Sequence, residues 1–145
     1  MRSEGSLPLV DPSPRFVLDA FALLAFFQDE RGASRVEQLL RQGAEEKASL
    51  YLSSVNYAEV LYRLERAGGI QDAKTAAALI EQNLPIQIMA VDVQLAVSAA
   101  HLKATHPISL ADCCAAALAQ QQQATVVTGD PDFARLAGVI AVEWL

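Results

Sequence analysis

An α/β sandwich, with a central and mainly parallel sheet between two helical layers, is what this sequence predicts. Short apolar runs of strand character alternate along the chain with segments of helical periodicity. The runs show no polar alternation, as expected of strands buried on both faces. Single-domain size also fits: 145 residues, 52% hydrophobic and 19% charged, can bury a core without metal or disulfide staples.

The elements follow in order. Residues 1–14 contain three prolines and few apolar side chains and read as a flexible lead; 15–145 form the domain. RFVLD (15–19) is a strand and AFALLAFF (20–27) a buried helix. GASRVEQLLRQG (32–43) places Val36, Leu39 and Leu40 on one helical face. SLYLSSV (49–55) is a second strand. NYAEVLYRLERAGG (56–69) is a helix with an apolar stripe of Val60, Leu61 and Leu64, stopped by Gly68 and Gly69. A helix over 71–83, a strand over 84–91 and a helix over 92–106 come next. SLADCCAAALAQQQQ (109–123) is a strongly marked helix, ATVVTGD (124–130) a strand, PDFARLAG (131–138) a short helix and VIAVEWL (139–145) the last strand.

Composition excludes several classes. No apolar run approaches the ~20 residues that span a bilayer, and the first 15 residues carry Glu4 and Asp11 without a long apolar stretch, unlike a secretory signal. A cytoplasmic protein without a membrane association is the expectation. Cys113 and Cys114 are adjacent in a helix, where neighbouring side chains diverge, so they read as two small buried hydrophobes. Neither G-x-G-x-x-G nor G-x-x-x-x-G-K-[ST] occurs.

Acidic residues stand at the ends of the apolar elements. Asp19 closes the first strand, Glu59 lies in the helix after the second, Asp112 in the first turn of the 109–123 helix, and Asp130 closes TVVTGD. Each has a local account. Asp19 and Asp130 sit where helix caps belong, Asp130 ahead of Pro131. Glu59 is four residues from Arg63, and Ser109 to Asp112 has capping-box spacing. Together they say more, because the carboxyl ends of parallel strands converge on one edge of the sheet. Two carboxylates ~5 Å apart at an effective dielectric near 20 repel by about 3 kcal/mol, more than the ~1 kcal/mol of a cap. A divalent cation relieves the repulsion, and an all-oxygen donor set suits Mg²⁺ or Mn²⁺ better than Zn²⁺.

LDAFALLAFF, NYAEVLYRL, SLADCCAAALA and VVTGDPDF resemble, in order, the four acidic motifs of the PIN-domain ribonucleases, and most of all the VapC-type toxins of bacterial toxin–antitoxin pairs. The resemblance runs from about Phe16 to the C-terminus. It implies a PIN-like fold and an endoribonuclease dependent on Mg²⁺ or Mn²⁺, which cuts by water activated at the metal and leaves 5′-phosphate and 3′-hydroxyl ends. The family's catalytic acids fall on Asp19, Glu59, Asp112 and Asp130, with Asp19, Asp112, Asp130 and Asp132 as metal positions and Thr128 in support. It further implies a homodimer restrained by a cognate antitoxin, which often inserts an arginine near the acids. This chain departs from the pattern two residues after the first aspartate, where the usual Ser or Thr is Phe21.

The net charge of −6 stands against an RNA-binding role until the acids are sorted. Of 17 acids, the five of the site leave 12 against 11 bases, a near-neutral surface. Arg63, Arg66, Lys74, Lys103 and Arg135 are the candidate RNA contacts. Two other readings stay open: a degenerate PIN domain that binds RNA or a protein without cutting, and another Mg²⁺-dependent α/β enzyme such as a phosphohydrolase. The second lacks the D-x-D of aspartate phosphatases, since Ala20 and Phe21 follow Asp19.

Overall fold

The computed structural model describes residues 13–145, so the lead expected over 1–14 lies, but for its last two residues, outside the described part. Among these residues five strands form one sheet in the order β3-β2-β1-β4-β5, with every neighbouring pair parallel. The strands are β1 (Arg15–Leu18), β2 (Ser49–Ser53), β3 (Ile86–Met89), β4 (Thr125–Thr128) and β5 (Ala141–Trp144). Helices α1 (Ala20–Phe27) and α2 (Ala33–Ala44) link β1 to β2, and α3 (Ser54–Gly68) and α4 (Ile70–Gln82) link β2 to β3. Helices α5 (Val93–Thr105) and α6 (Leu110–Gln122) carry the chain back across the sheet to β4.

The order fixes where a ligand can bind. From β1 the chain moves outward through β2 to β3, then returns to the other side of β1 for β4 and β5. Crossovers between parallel strands keep one hand, so reversing the direction of travel puts α5 and α6 on the opposite face from α1 to α4. The packing shows this. Phe16 and Leu18 of β1 join Leu50, Leu52 and Val127 in a core with Leu23, Leu39, Val60 and Ile80 from α1 to α4. Val17, Tyr51 and Val126 face the other way, against Leu95 and Leu102 of α5 and Leu118 of α6. The gap between β1 and β4 is thus the topological switch point, the place where open α/β sheets leave a crevice at their carboxyl edge.

Helix α6 is buried along its length from Cys113 to Ala119. Its alanines favour helix and keep its girth small enough to lie against both the sheet and α5. Cys113 and Cys114 are buried free thiols there, packed as small apolar groups. On α3, Val60 and Leu64 are buried, and Gly69, at φ +94°, both ends α3 and precedes α4. The segment after β4, expected to be a short helix over 131–138, is a 3₁₀ helix, Pro131–Leu136. With six residues and proline at its start, it has little room for i→i−4 bonds. The edge strands β3 and β5 are only partly buried, and β5 is tied to α2 by Arg35, whose Nε and Nη2 donate to the Glu143 carboxylate at 2.6 and 3.0 Å.

Candidate functional site

Four polar side chains are fully buried among the described residues: Asp19, Ser53, Asn56 and Thr128. Burying polar atoms costs free energy unless each finds a partner, and all four stand at the carboxyl edge of the sheet. Asp19 follows β1 as the N-cap of α1, its Oδ1 accepting the Ala22 N–H at 2.9 Å. Its Oδ2 accepts a short hydrogen bond from the Thr128 hydroxyl at the end of β4. The switch point is therefore stitched by one carboxylate and one hydroxyl. The Thr128 oxygen in turn accepts the Asp130 N–H at 3.0 Å, fixing the loop that leaves β4.

Ser53 and Asn56 do the same work beside α6. Ser53 caps α3 by accepting the Asn56 N–H at 3.0 Å and donates to Asn56 Oδ1 at 2.6 Å. Asn56 Nδ2 then reaches the carbonyl of Ala111 at 3.2 Å. That carbonyl precedes Asp112, so α3 holds the first turn of α6 in register with the rest of the edge. Ser109 caps α6, its Oγ accepting the Asp112 N–H at 3.1 Å. Asp130 caps the 3₁₀ helix by accepting the Asp132 N–H at 2.9 Å.

These contacts bring acids from distant parts of the chain together. One carboxylate oxygen from each of Asp112, Asp130 and Asp132 lies within 4.8 Å of the others. Asp19, Glu59, Asp112 and Asp130 line a cleft of about 390 Å³ together with Phe21, Leu24, Gln28, Glu30, Arg31 and Arg63. Asp19 sits in the wall of this cleft and is not one of the compact three. Glu59 pairs with Arg63 at 2.9 Å. The local accounts of these acids hold alongside their convergence: the caps and the i, i+4 pair are what aim the carboxylates.

The electrostatic consequence is visible in two groups. Burial pushes the Asp19 carboxyl up to about 7; Asp112 and Asp130 add to the rise, while the Thr128 and Ala22 hydrogen bonds oppose it. Asp112 rises to about 6, mainly through burial and then through Asp130, with smaller contributions from Glu59 and Asp132. Both carboxyls thus give up their protons less readily than an ordinary aspartate, and a bound cation would favour their ionised forms. Three converging carboxylates with no His or Cys among them form a hard, all-oxygen donor set of the kind Mg²⁺ or Mn²⁺ accepts.

The basic candidates separate. Arg63 lines the cleft. Arg66 lies over the Tyr62 ring, 4.8 Å from its centroid. Lys103 Nζ donates to the Ile108 carbonyl and Arg135 Nη1 to the Pro107 carbonyl, each at 2.7 Å, so both fasten the turn that leads into α6. Lys74 is not in the cleft lining. Sequence reasoning overlooked Arg31, which does line it. The loop carrying Arg31 turns through left-handed backbone at Asp29 and Gly32, and no hydrophobic period marks such a loop. It also overlooked Asn56, whose only sequence signal is a polar residue in the first turn of a helix behind a strand.

A parallel sheet of this order defines a class of α/β folds, and solved structures share the fold. VapC20 of Mycobacterium tuberculosis, described as a sarcin-ricin loop cleaving toxin, is similar at TM-score 0.70 and 18% identity, over 87% of this chain and 96% of that one. VapBC2 of Rickettsia felis, bound to a DNA fragment from its promoter, is similar at TM-score 0.71 and 15% identity, over 90% and 98%. DNA-bound VapBC of Salmonella typhimurium is similar at TM-score 0.69 and 20% identity, over 90% and 97%. No curated protein sequence matches the chain. The PIN domain family does match, over residues 16–139, and the chain belongs to that family.

Proposed function

We propose that this PIN domain is a Mg²⁺- or Mn²⁺-dependent endoribonuclease and the toxin of a type II toxin–antitoxin pair. The observation that carries the reading is the meeting of Asp112, Asp130 and Asp132 beside buried Asp19 at the switch point. The VapC and VapBC likenesses support it, as does the acidic order along the sequence. RNA is the substrate; a cognate antitoxin and a second copy of the chain are the expected partners.

Asp112, Asp130 and Asp132 would hold the cation, with Asp19 and Glu59 shaping the field around it. A bound divalent ion neutralises charge on a phosphodiester and acidifies a coordinated water, supplying a nucleophile near neutral pH. The chain's own part is to position and to balance charge. Thr128 and Ala22 fix the Asp19 carboxylate, and Asn56 and Ser109 fix the start of α6. Arg31 and Arg63 line the cleft, Arg63 paired with Glu59, and would offer guanidinium groups to the phosphates of a bound strand.

Incubation with total RNA tests the reading. Wild-type protein should cut in Mg²⁺ or Mn²⁺ and not in EDTA, and Asp112→Asn should lose at least ~100-fold of the rate, beyond the 10–100-fold typical of groups that only orient metal ligands. Equal cutting by Asp112→Asn, or in EDTA, defeats it. Phe21 favours one other reading, a PIN domain that binds without cutting, because it replaces a hydroxyl beside the acids. Millimolar Mn²⁺ separates the two: a nuclease gains thermal stability from a cation that binds only the folded state, and a site that has lost its metal does not.

A further inference from the structure

Phe21 is the second residue of α1, two positions after Asp19, and lines the acidic cleft. It is 41% exposed and belongs to neither hydrophobic core, although Leu23, Leu24 and Ala25 of the same helix are buried. Its ring is nevertheless seated. A Cβ built on Gly129 would come within 2.2 Å of Phe21 Cε1 and 2.5 Å of Cζ, so the ring edge rests directly on glycine backbone. That backbone joins Thr128 to Asp130. The ring is thus held at a fixed place beside the carboxylates, with exposed aromatic surface, where a hydroxyl would have been a better neighbour for water or a cation.

We propose that Phe21 is a base-stacking platform, on which the nucleobase adjoining the scissile phosphate lies against the exposed ring at the mouth of the acidic cleft. The proposal rests on the nuclease reading above and adds how the substrate is seated. An aromatic face accepts any base, because every base offers a π-surface, so Phe21 contributes affinity and alignment for single-stranded RNA rather than a sequence code. Phosphates beside the stacked base would fall within reach of Arg31 and Arg63 in the same cleft. A base so held sets the register of the backbone over Asp112 and Asp130.

The test uses the full chain and single-stranded RNA oligonucleotides carrying 2-aminopurine, whose fluorescence is quenched by stacking. In an Asp112→Asn background, which keeps the RNA uncut, quenching should occur with Phe21 and with Phe21→Trp and be lost with Phe21→Leu. Binding should weaken by roughly 10-fold for the leucine variant, in the range for loss of one base–aromatic stack. In the otherwise wild-type chain, Phe21→Leu should raise KM with much less change in kcat. Leucine keeps an apolar contact with Gly129, so a packing role alone would leave both readouts unmoved, and that result overturns the proposal. An aromatic serving a protein partner would also leave oligonucleotide binding unchanged and overturn it. Should wild-type protein quench through Phe21 but cut no RNA, the nuclease reading fails and the stack stands. Should it cut normally while Phe21→Leu matches wild type, the stack alone fails.

Discussion

A carboxyl group pressed between two strands, as that of Asp19 is, gives up its proton late. In the folded protein it titrates near 7, against 3.8 for the free side chain. Between those values the native state holds a proton that the unfolded chain has released, so this group's contribution to stability falls as pH rises from about 4 to 7 and stays low above that. Asp112, raised to about 6, acts in the same direction over a narrower window. In cation-free buffer Asp19→Asn should therefore unfold at a temperature equal to or above that of wild type at pH 8, and depend less on pH between 4 and 7. It should keep part of the stabilisation Mn²⁺ gives the wild type, because Asp112, Asp130 and Asp132 remain. Thermal scans across this range, with and without Mn²⁺, check both, and parallel pH profiles for the two proteins would refute the account. The acids were legible in the sequence because helix caps and strand ends are local signals. The division between a compact three and a buried fourth was not, because it depends on Thr128 crossing from β4 to meet Asp19, 109 residues away. Charge counting likewise could not tell Arg63, in the cleft, from Lys103 and Arg135, each spent on a backbone carbonyl.

At the scale of elements, strands buried on both faces declared themselves as unbroken apolar runs, and β1, β2 and β4 lie within the predicted RFVLD, SLYLSSV and ATVVTGD, each shorter than its run. The 84–91 run proved longer than its strand, Ile86–Met89, because the sheet edge pairs few of its residues. Residues 131–138 carry helical composition in a space that admits only a 3₁₀ turn. β5 illustrates an element held by side chains as much as by its ladder. Among the described residues it pairs on one side only, with β4, and Arg35 clamps it through Glu143. The pairing pulls the Glu143 carboxyl below its ordinary value, so its stabilisation is present at neutral pH and fades as acid protonates the glutamate. The pair is about one-third exposed, and solvent screening limits it: Arg35→Ala should cost about 0.5–1 kcal/mol at low salt and less in 1 M NaCl. Denaturant unfolding at two salt concentrations measures this, and a salt-independent loss would point to packing of the arginine stem instead.

Across the whole molecule, the core on one face of the sheet is built around α6, which carries Asp112 at its start and Leu118 two turns deeper. Leu118 has no exposed surface. Leu118→Ala should cost about 2–5 kcal/mol, the range for a buried leucine leaving a cavity, and denaturant titration reads it directly. A loss under 1 kcal/mol would mean that α5 closes over the gap. No helix among the described residues is long and apolar enough to cross a membrane.

The place of β4 in the sheet has one more consequence. Its partner β1 is made first in the chain and waits through two outward crossovers before residues 125–128 arrive to supply Thr128 and then Asp130. A polypeptide still being synthesised, or one cut short of that point, has Asp19, Glu59 and Asp112 but not Thr128, Asp130 or Asp132 to complete the site. Such a fragment would lack two of the three clustered carboxylates. On the proposed reading, cleavage, and with it any need for restraint by another protein, would begin only when the residues from Thr125 onward have folded home.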